Sequence, residues 1–419
     1  MAETRGSGKA LPAVLLFLFL LPSSGGPLFA QIKPGLLDAA PPGPELSSQA
    51  AVLMDAETGT VLYRKNEDLE IPPASLTKLM AIHLALEEIA AGRASLDELF
   101  SPPRESWAVN MPPRSSLMFL AAGQRLSLRE LLLGLAIPSG NDAAVALALR
   151  FAPSVGDFVE MMNREALRLG LKATRFVEPS GISEDNWTTA GEFAQFCRIY
   201  LRLHPETLAE YHSVPEFAYP KAENVGERYR ENPGTILQPN RNNLLKNFPG
   251  VDGLKTGYID EAGYNIALTA ERDGTRFVAV ILGAPALPGG DRLRDEDGRK
   301  LLTWAFDNFK TLRPLLEEPE PVRLWKGKEN WVELTVGEDP AFTIPASRGN
   351  QLWLSTELID PLVAPLPASY RAGDFILSDE QGELRRIPLL SAREYEEGNF
   401  FKRLWDSVRL FFRGLGKSV

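Results

Sequence analysis

Apolar positions change their period several times along the chain, and each change marks an element. After an unbroken apolar run at 11–21, apolar residues in Ala-Ala-Val-Leu-Met-Asp (50–55) and Thr-Val-Leu-Tyr (60–63), separated by Glu57-Thr58-Gly59, predict a β-hairpin. From Ser75 the period lengthens to that of a helix. Leu76, Leu79, Met80, His83, Leu84 and Leu86 form one stripe that continues to Gly92. Further helical stripes occupy 126–135 and 143–150, and 193–200 reads the same way. Period two returns at 264–270 and 276–282, joined by Arg272-Asp273-Gly274, with the run 251–258 opening that strand series. A helix is expected at 300–309. Beyond the charged, proline-containing stretch 315–321, the runs 331–336, 351–356 and 375–377 alternate between turn clusters and predict a small β-rich domain. Residues 399–415 return to the helical period.

These boundaries divide the 419 residues into a secretory signal at 1–30, a linker at 31–49, a catalytic-size domain at 50–312, a β-rich domain at 313–395 and a terminal amphipathic helix at 396–419. The signal has Arg5 and Lys9 before its apolar run, a Pro/Gly break after it, and Ala30 as the small residue for cleavage. Residues 34–44, rich in Pro and Gly, are expected to be extended or disordered. A formal charge of −10 excludes a nucleic-acid-binding protein in the ordinary sense, which needs a basic face. The single cysteine, Cys197, excludes an intramolecular disulfide, and its apolar helical setting reads as a buried inert thiol. Three histidines, His83, His204 and His212, show no H-x-x-x-H spacing, and His83 reads as a packed core residue. No metal or cofactor is expected.

Three short motifs carry the candidate chemistry. Ser75 and Lys78 lie three apart in Pro73-Ala74-Ser75-Leu76-Thr77-Lys78, so one helical turn sets an amine beside a hydroxyl. A buried lysine with a lowered pKa can take the serine proton and make it a nucleophile. Ser75 is the sole serine followed three residues later by lysine. Ser139-Gly140-Asn141 is a tight turn between helices, readable as a helix cap or as a proton-passing hydroxyl with an amide that holds substrate. Lys255-Thr256-Gly257-Tyr258 falls on an edge strand, where a cation and hydroxyl could clamp a carboxylate and Gly257 would let a substrate backbone approach.

In this order the three motifs resemble those of the penicillin-recognising serine acyltransferases, and most of 50–310 is similar to the low-molecular-mass D-alanyl-D-alanine carboxypeptidases. The stretches 113–120, 139–143, 240–245 and 252–257 carry that likeness. The resemblance implies an α+β fold: an antiparallel sheet flanked by helices with a helical subdomain, followed by a β-rich domain. It implies that Ser75 is acylated, Lys78 is its base, Ser139 relays protons with Lys255, and Asn141 holds the substrate amide. Lys255, Thr256 and Gly257 would bind substrate, and the backbone N–H groups of Ser75 and Tyr258 would form the oxyanion hole. The implied substrate is the peptidoglycan pentapeptide, with β-lactam antibiotics as inhibitors. Arg241 is a further contact for a terminal carboxylate or, equally, one half of a structural ion pair. A class A β-lactamase would carry an E-x-x-L-N loop, which is missing. A β-lactam sensor would carry membrane spans, and no apolar run of 18 residues occurs.

On the terminal helix Phe400, Phe401, Leu404, Trp405, Val408, Phe411, Phe412 and Leu415 share a face opposite Lys402, Arg403, Arg409 and Arg413, with Leu410 alone on the wrong side. An aromatic face backed by a basic one suits an anionic membrane surface. The expectation is an exported enzyme held peripherally on the outer, periplasmic face of the cytoplasmic membrane.

Overall fold

The computed structural model describes residues 31–416; the expected signal at 1–30 lies outside the described residues. A five-stranded antiparallel sheet organises the first domain. Its strands are β1 (Ala50–Asp55), β2 (Val61–Lys65), β3 (Val251–Ile259), β4 (Gly263–Arg272) and β5 (Thr275–Ala284), in the spatial order β2-β1-β5-β4-β3. Every residue of β1 is buried. Ala50, Val52 and Met54 pack with the helical layer, while Ala51 and Leu53 face the opposite one, which explains why the strand is apolar throughout. The β4–β5 hairpin turns at Asp273 and Gly274, both with positive φ, the geometry that matches strand twist in a two-residue loop.

The helical layer comprises α1 (Lys78–Ala90), α2 (Leu128–Ala136), α3 (Asn141–Phe151), α4 (Val155–Arg168) and α5 (Ala190–Leu203). Helix α1 starts three residues later than its apolar stripe implies. Ala74 has a φ of 51°, so the regular ladder cannot extend back through it, and Ala74–Thr77 form a 3-10 turn instead. Ser127 and Glu130 close a capping box on α2. The other face of the sheet is covered by α6 (Gly290–Asn308), ten residues longer at its start than the expected 300–309. Its charged first half is held rather than solvated, because the buried Asp297 carboxylate accepts bonds from the backbone and hydroxyls of Ser47 and Ser48.

The second domain begins with β6 (Phe309–Leu312), which pairs with β7 (Phe342–Pro345), and builds a second sheet from β8 (Trp353–Leu358), β9 (Arg371–Asp379) and β10 (Gly382–Ser391). The expected strand at 331–336 is split at Glu333, since Trp331–Val332 pair with Val322 and Arg323 whereas Leu334–Val336 pair with β10. Residues 31–49 are mostly irregular but do not form a loose linker. Gln31–Ile32 pair with β10, and Leu36 is buried in the second domain's core, so the segment straps the two domains together. A terminal helix, α7 (Phe400–Gly416), closes the described chain.

Asp55, fully buried at the end of β1, pins the seam between the domains. Its Oδ2 accepts from the hydroxyls of Thr311 and Thr343 at 2.6 and 2.8 Å, and its Oδ1 accepts from the N–H groups of Glu57 and Thr58. Removing the carboxylate would leave several buried donors unpaired. Asp55→Ala should therefore cost about 2–4 kcal/mol, read as earlier thermal unfolding, with penicillin acylation retained at ambient temperature. An unchanged melting curve would show that the seam does not depend on this carboxylate.

Candidate active site

Ser75 sits in the 3-10 turn that feeds α1, half buried at the floor of a cleft between β3 and the helical layer. Strand and 3-10 turn meet closely: a Cβ at Gly257 would lie 3.0 Å from the Ser75 nitrogen and 2.9 Å from the Pro73 carbonyl oxygen. Only a glycine there lets the edge strand approach. Gly181 is as constrained, since a Cβ on it would collide with the Ala74 carbonyl.

Lys78 is wholly buried. Its Nζ lies 3.0 Å from Ser75 Oγ, donates to Asn141 Oδ1 at 2.8 Å, and donates to the Ser180 carbonyl. A neutral amine has two N–H bonds and one lone pair. In that state the two acceptors would take both N–H bonds and leave the lone pair toward the serine hydroxyl. Burial drives the neutral state, lowering the amine to about 7; Glu178 partly offsets this, and Arg241 adds to the lowering. Lys255, also buried, is lowered well below its ordinary value, first by burial and then by the nearby Lys78, Arg241 and Arg294 cations.

The S-x-N turn joins this constellation but not as a helix cap. Asn141 is the first residue of α3, Gly140 occupies the cap position, and no side chain caps the helix. Ser139 has a φ of 65°, and among the described residues its buried hydroxyl has no hydrogen-bond partner. The turn is held by Asp142, whose carboxylate accepts from the backbone N–H groups of Met118, Phe119, Leu120 and Ala143. With Asn141 Oδ1 committed to Lys78, the amide Nδ2 is the group left for a substrate carbonyl.

The cleft has two lobes that share Ser75, Arg114, Ser116 and Tyr258. One, about 350 Å³, is lined also by Ser139, Thr256, Arg241 and Arg294; the other, about 280 Å³, by Asn141, Ile182 and Ile259. Thr256 reaches the first lobe. Lys255 lies beneath it, its Nζ donating to the Thr256 carbonyl. Among the described residues Arg241 has no carboxylate partner, so it is not half of an ion pair but a cation facing the lobe. Tyr258 is part exposed, its hydroxyl donating to Asp260 and its ring against Tyr264.

Two domain families match this chain: D-alanyl-D-alanine carboxypeptidase over residues 38–286, and the penicillin-binding protein 5 C-terminal domain over 312–397. The chain belongs to the D-alanyl-D-alanine carboxypeptidase family. The carboxypeptidase DacC of Escherichia coli is 36% identical over 378 residues, covering 88% of this chain and 89% of the relative. DacF of Bacillus subtilis is 31% identical, covering 84% and 87%. Penicillin-binding protein 5 from Haemophilus influenzae superposes with a TM-score of 0.74 at 31% identity, covering 85% of this chain and all of that one. Penicillin-binding protein D2 from Listeria monocytogenes, solved in a cefotaxime-bound form, superposes on 64% of this chain with a TM-score of 0.54 at 31% identity. The α+β architecture and a serine-type carboxypeptidase acting on peptidoglycan peptides follow.

Several residues that shape this carboxypeptidase site carry no motif. Glu178 gathers the N–H groups of Ser180 and Gly181, the Ser180 hydroxyl and the Asn186 amide, and so aims the Ser180 carbonyl at Lys78. Asn265 on β4 donates to the Pro72 carbonyl at 2.9 Å and accepts from Gly283 N–H, tying the sheet to the approach of Ser75. Polar residues just outside a motif, such as Asp142 after Asn141, were the available signal. His83 is in the core as expected, and Cys197 is buried with its thiol pushed up by desolvation.

If Lys78 is the base for Ser75, its lowered pKa sets a sign for pH dependence. Below about 7 Lys78 is protonated and has no lone pair for Ser75, so acylation by penicillin should fall about tenfold per pH unit and level off above neutrality. The measurement is the second-order acylation rate from pH 5 to 9. A flat profile would rule out a base titrating near 7.

Proposed function

We propose that Ser75 attacks the carbonyl carbon of the penultimate D-alanine, passing its proton to Lys78 as the C–O bond forms. The Ser75 and Tyr258 backbone N–H groups receive the developing oxyanion. Collapse breaks the C–N bond, the leaving amine takes the proton by way of Ser139, and free D-alanine departs. Water then cleaves the ester and restores Ser75. Thr256 and Arg241 hold the terminal carboxylate in the cationic lobe, Asn141 holds the amide, and Lys255 works from beneath on Ser139 and Thr256. A β-lactam would enter the same route and stop at the ester. The observation that carries this reading is the buried Lys78 Nζ, 3.0 Å from Ser75 Oγ, with Asn141 Oδ1 and the Ser180 carbonyl as its other two partners. Ser75→Ala should abolish both penicillin labelling and D-alanine release. Labelling that survived would require a different nucleophile.

We infer further that α7 anchors the enzyme on the outer face of the cytoplasmic membrane. Phe400, Phe401, Leu404, Trp405, Val408, Phe411 and Phe412 are all exposed, and the helix docks on the second domain by its polar side. Asp406, buried, accepts from Lys326 N–H; Lys402 donates to Asn330; Arg413 pairs with Asp360; Leu410, on the wrong side of the helical wheel, is half buried here. Among the described residues no helix is long and apolar enough to cross a membrane. Arg403 and Arg413 already have carboxylate partners, so apolar insertion supplies most of the affinity and anionic lipid adds less than composition implies. Truncation before Glu396 should release active enzyme from membranes. Phe401→Glu with Phe412→Glu should weaken binding to neutral and anionic vesicles alike. Retention of the truncated enzyme, or full binding by the double variant, would defeat the anchor.

A further inference from the structure

Away from the catalytic cleft, two of the three histidines and a glutamate converge where α1, α4 and α5 meet. His83 on α1 is fully buried, and His204, at the C-terminal cap of α5, is nearly so. Glu87 stands one turn after His83 on the same helix, its side chain 39% exposed. His83 Nδ1 is 3.0 Å from His204 Nε2, which is 3.3 Å from Glu87 Oε1, and the three atoms lie within 4.8 Å of one another.

The remaining nitrogen of His83 is already engaged. Nε2 lies 2.8 Å from Glu165 Oε1, and Glu165 pairs in turn with Arg168. That contact leaves His83 Nδ1 as the atom that faces His204 Nε2 and Glu87 Oε1, so three atoms of the kind a divalent cation takes converge on one point beside a part-exposed glutamate.

We propose that His83, His204 and Glu87 bind zinc, with Glu165 orienting His83 from the outer shell. Two imidazoles and a carboxylate are a zinc donor set, and a carboxylate behind a metal-bound histidine is the usual way its tautomer is fixed. Zinc–nitrogen bonds of about 2.0–2.1 Å at a tetrahedral angle put two nitrogens roughly 3.3 Å apart, a few tenths beyond the present 3.0 Å. His204 would bind through Nε2 as a neutral imidazole with its proton on Nδ1. Glu87 opens to solvent, which gives an entry path and leaves the fourth position to water. The bound ion would staple α1, five residues beyond Lys78, to the end of α5.

The test uses the mature, full-length protein dialysed against zinc chloride and then metal-free buffer, with zinc per chain measured by elemental analysis. One zinc per chain is expected in wild type. Glu165→Gln should bind about 10–100-fold more weakly, Glu87→Gln at least about tenfold more weakly, and His204→Asn should lose the site. Zinc should raise the melting temperature of wild type but not of His204→Asn, while penicillin acylation of Ser75 stays the same with and without metal. If His204→Asn folds poorly, the half-exposed Glu87→Gln carries the comparison. Failure of wild type to retain zinc, or equal retention by wild type and Glu87→Gln, would overturn the proposal and leave a shared hydrogen bond in its place.

Discussion

The catalytic half of this protein depends on keeping one lysine amine dry. A lysine lowered from its ordinary value to about 7 is disfavoured in its charged form by about 5 kcal/mol relative to water. That bias comes from burial, yet burial alone would leave a neutral amine with unspent donors. The fold supplies an acceptor from the first turn of α3, Asn141, and another from the 178–181 loop, Ser180. Three segments far apart in sequence therefore meet at one nitrogen, and the position of each follows from that requirement. Lys255 obeys the same logic. Two amines and Arg241 are near enough to disfavour each other's charge, so the site holds fewer protons than its count of bases suggests.

Holding this arrangement strains the chain in known places. Ala74 and Ser139 both adopt positive φ without being glycine, at a cost on the order of 1 kcal/mol or more each. One precedes the nucleophile and the other supplies the S-x-N hydroxyl. Buried carboxylates and amides next to them bear the load. Asp142 collects four backbone N–H groups around the S-x-N turn, Glu178 collects the loop that faces Lys78, and Asn265 fixes Pro72. Burial raises the pKa of Asp142 and the backbone donors offset part of that rise, so its place is kept by hydrogen bonds rather than by a counter-charge.

Motif spacing made the grouping of the candidate residues legible because Ser75 and Lys78 are local to one turn, and Thr256 and Gly257 are local to one strand. Their supports were not legible, since Glu178 and Asn265 act across 100 residues or more of intervening chain. The β4–β5 hairpin and the amphipathic tail were readable because their turn chemistry and period are complete within a short window. The start of α6 was not. Its charged residues look like a solvated loop until Ser47 and Ser48 are seen bonding Asp297. For the same reason the Pro/Gly-rich strap passed for a linker: its anchors, Leu36 and Gln31–Ile32, find partners only in a domain that begins almost 300 residues later. The expectation of a carboxylate clamp at the K-T-G strand divides similarly. Thr256 faces the cleft as its strand position implies, but Lys255 alternates to the buried side, and the cation at the surface is Arg241.

The terminal helix shows how side-chain pairing can assign a face that a helical wheel leaves ambiguous. An amphipathic helix at the end of a soluble domain normally buries its apolar face, where each large side chain is worth about 1.5–3 kcal/mol. Helix α7 does the reverse, docking through Lys402, Asp406 and Arg413 and leaving seven large apolar residues in solvent. Polar contacts of this kind hold orientation at modest energy, whereas the exposed face forfeits far more than they return. The docked polar face fixes the direction of the apolar one relative to the rest of the molecule, because Asp406 and Arg413 tie α7 to the second domain and Asp55 ties that domain to the catalytic sheet.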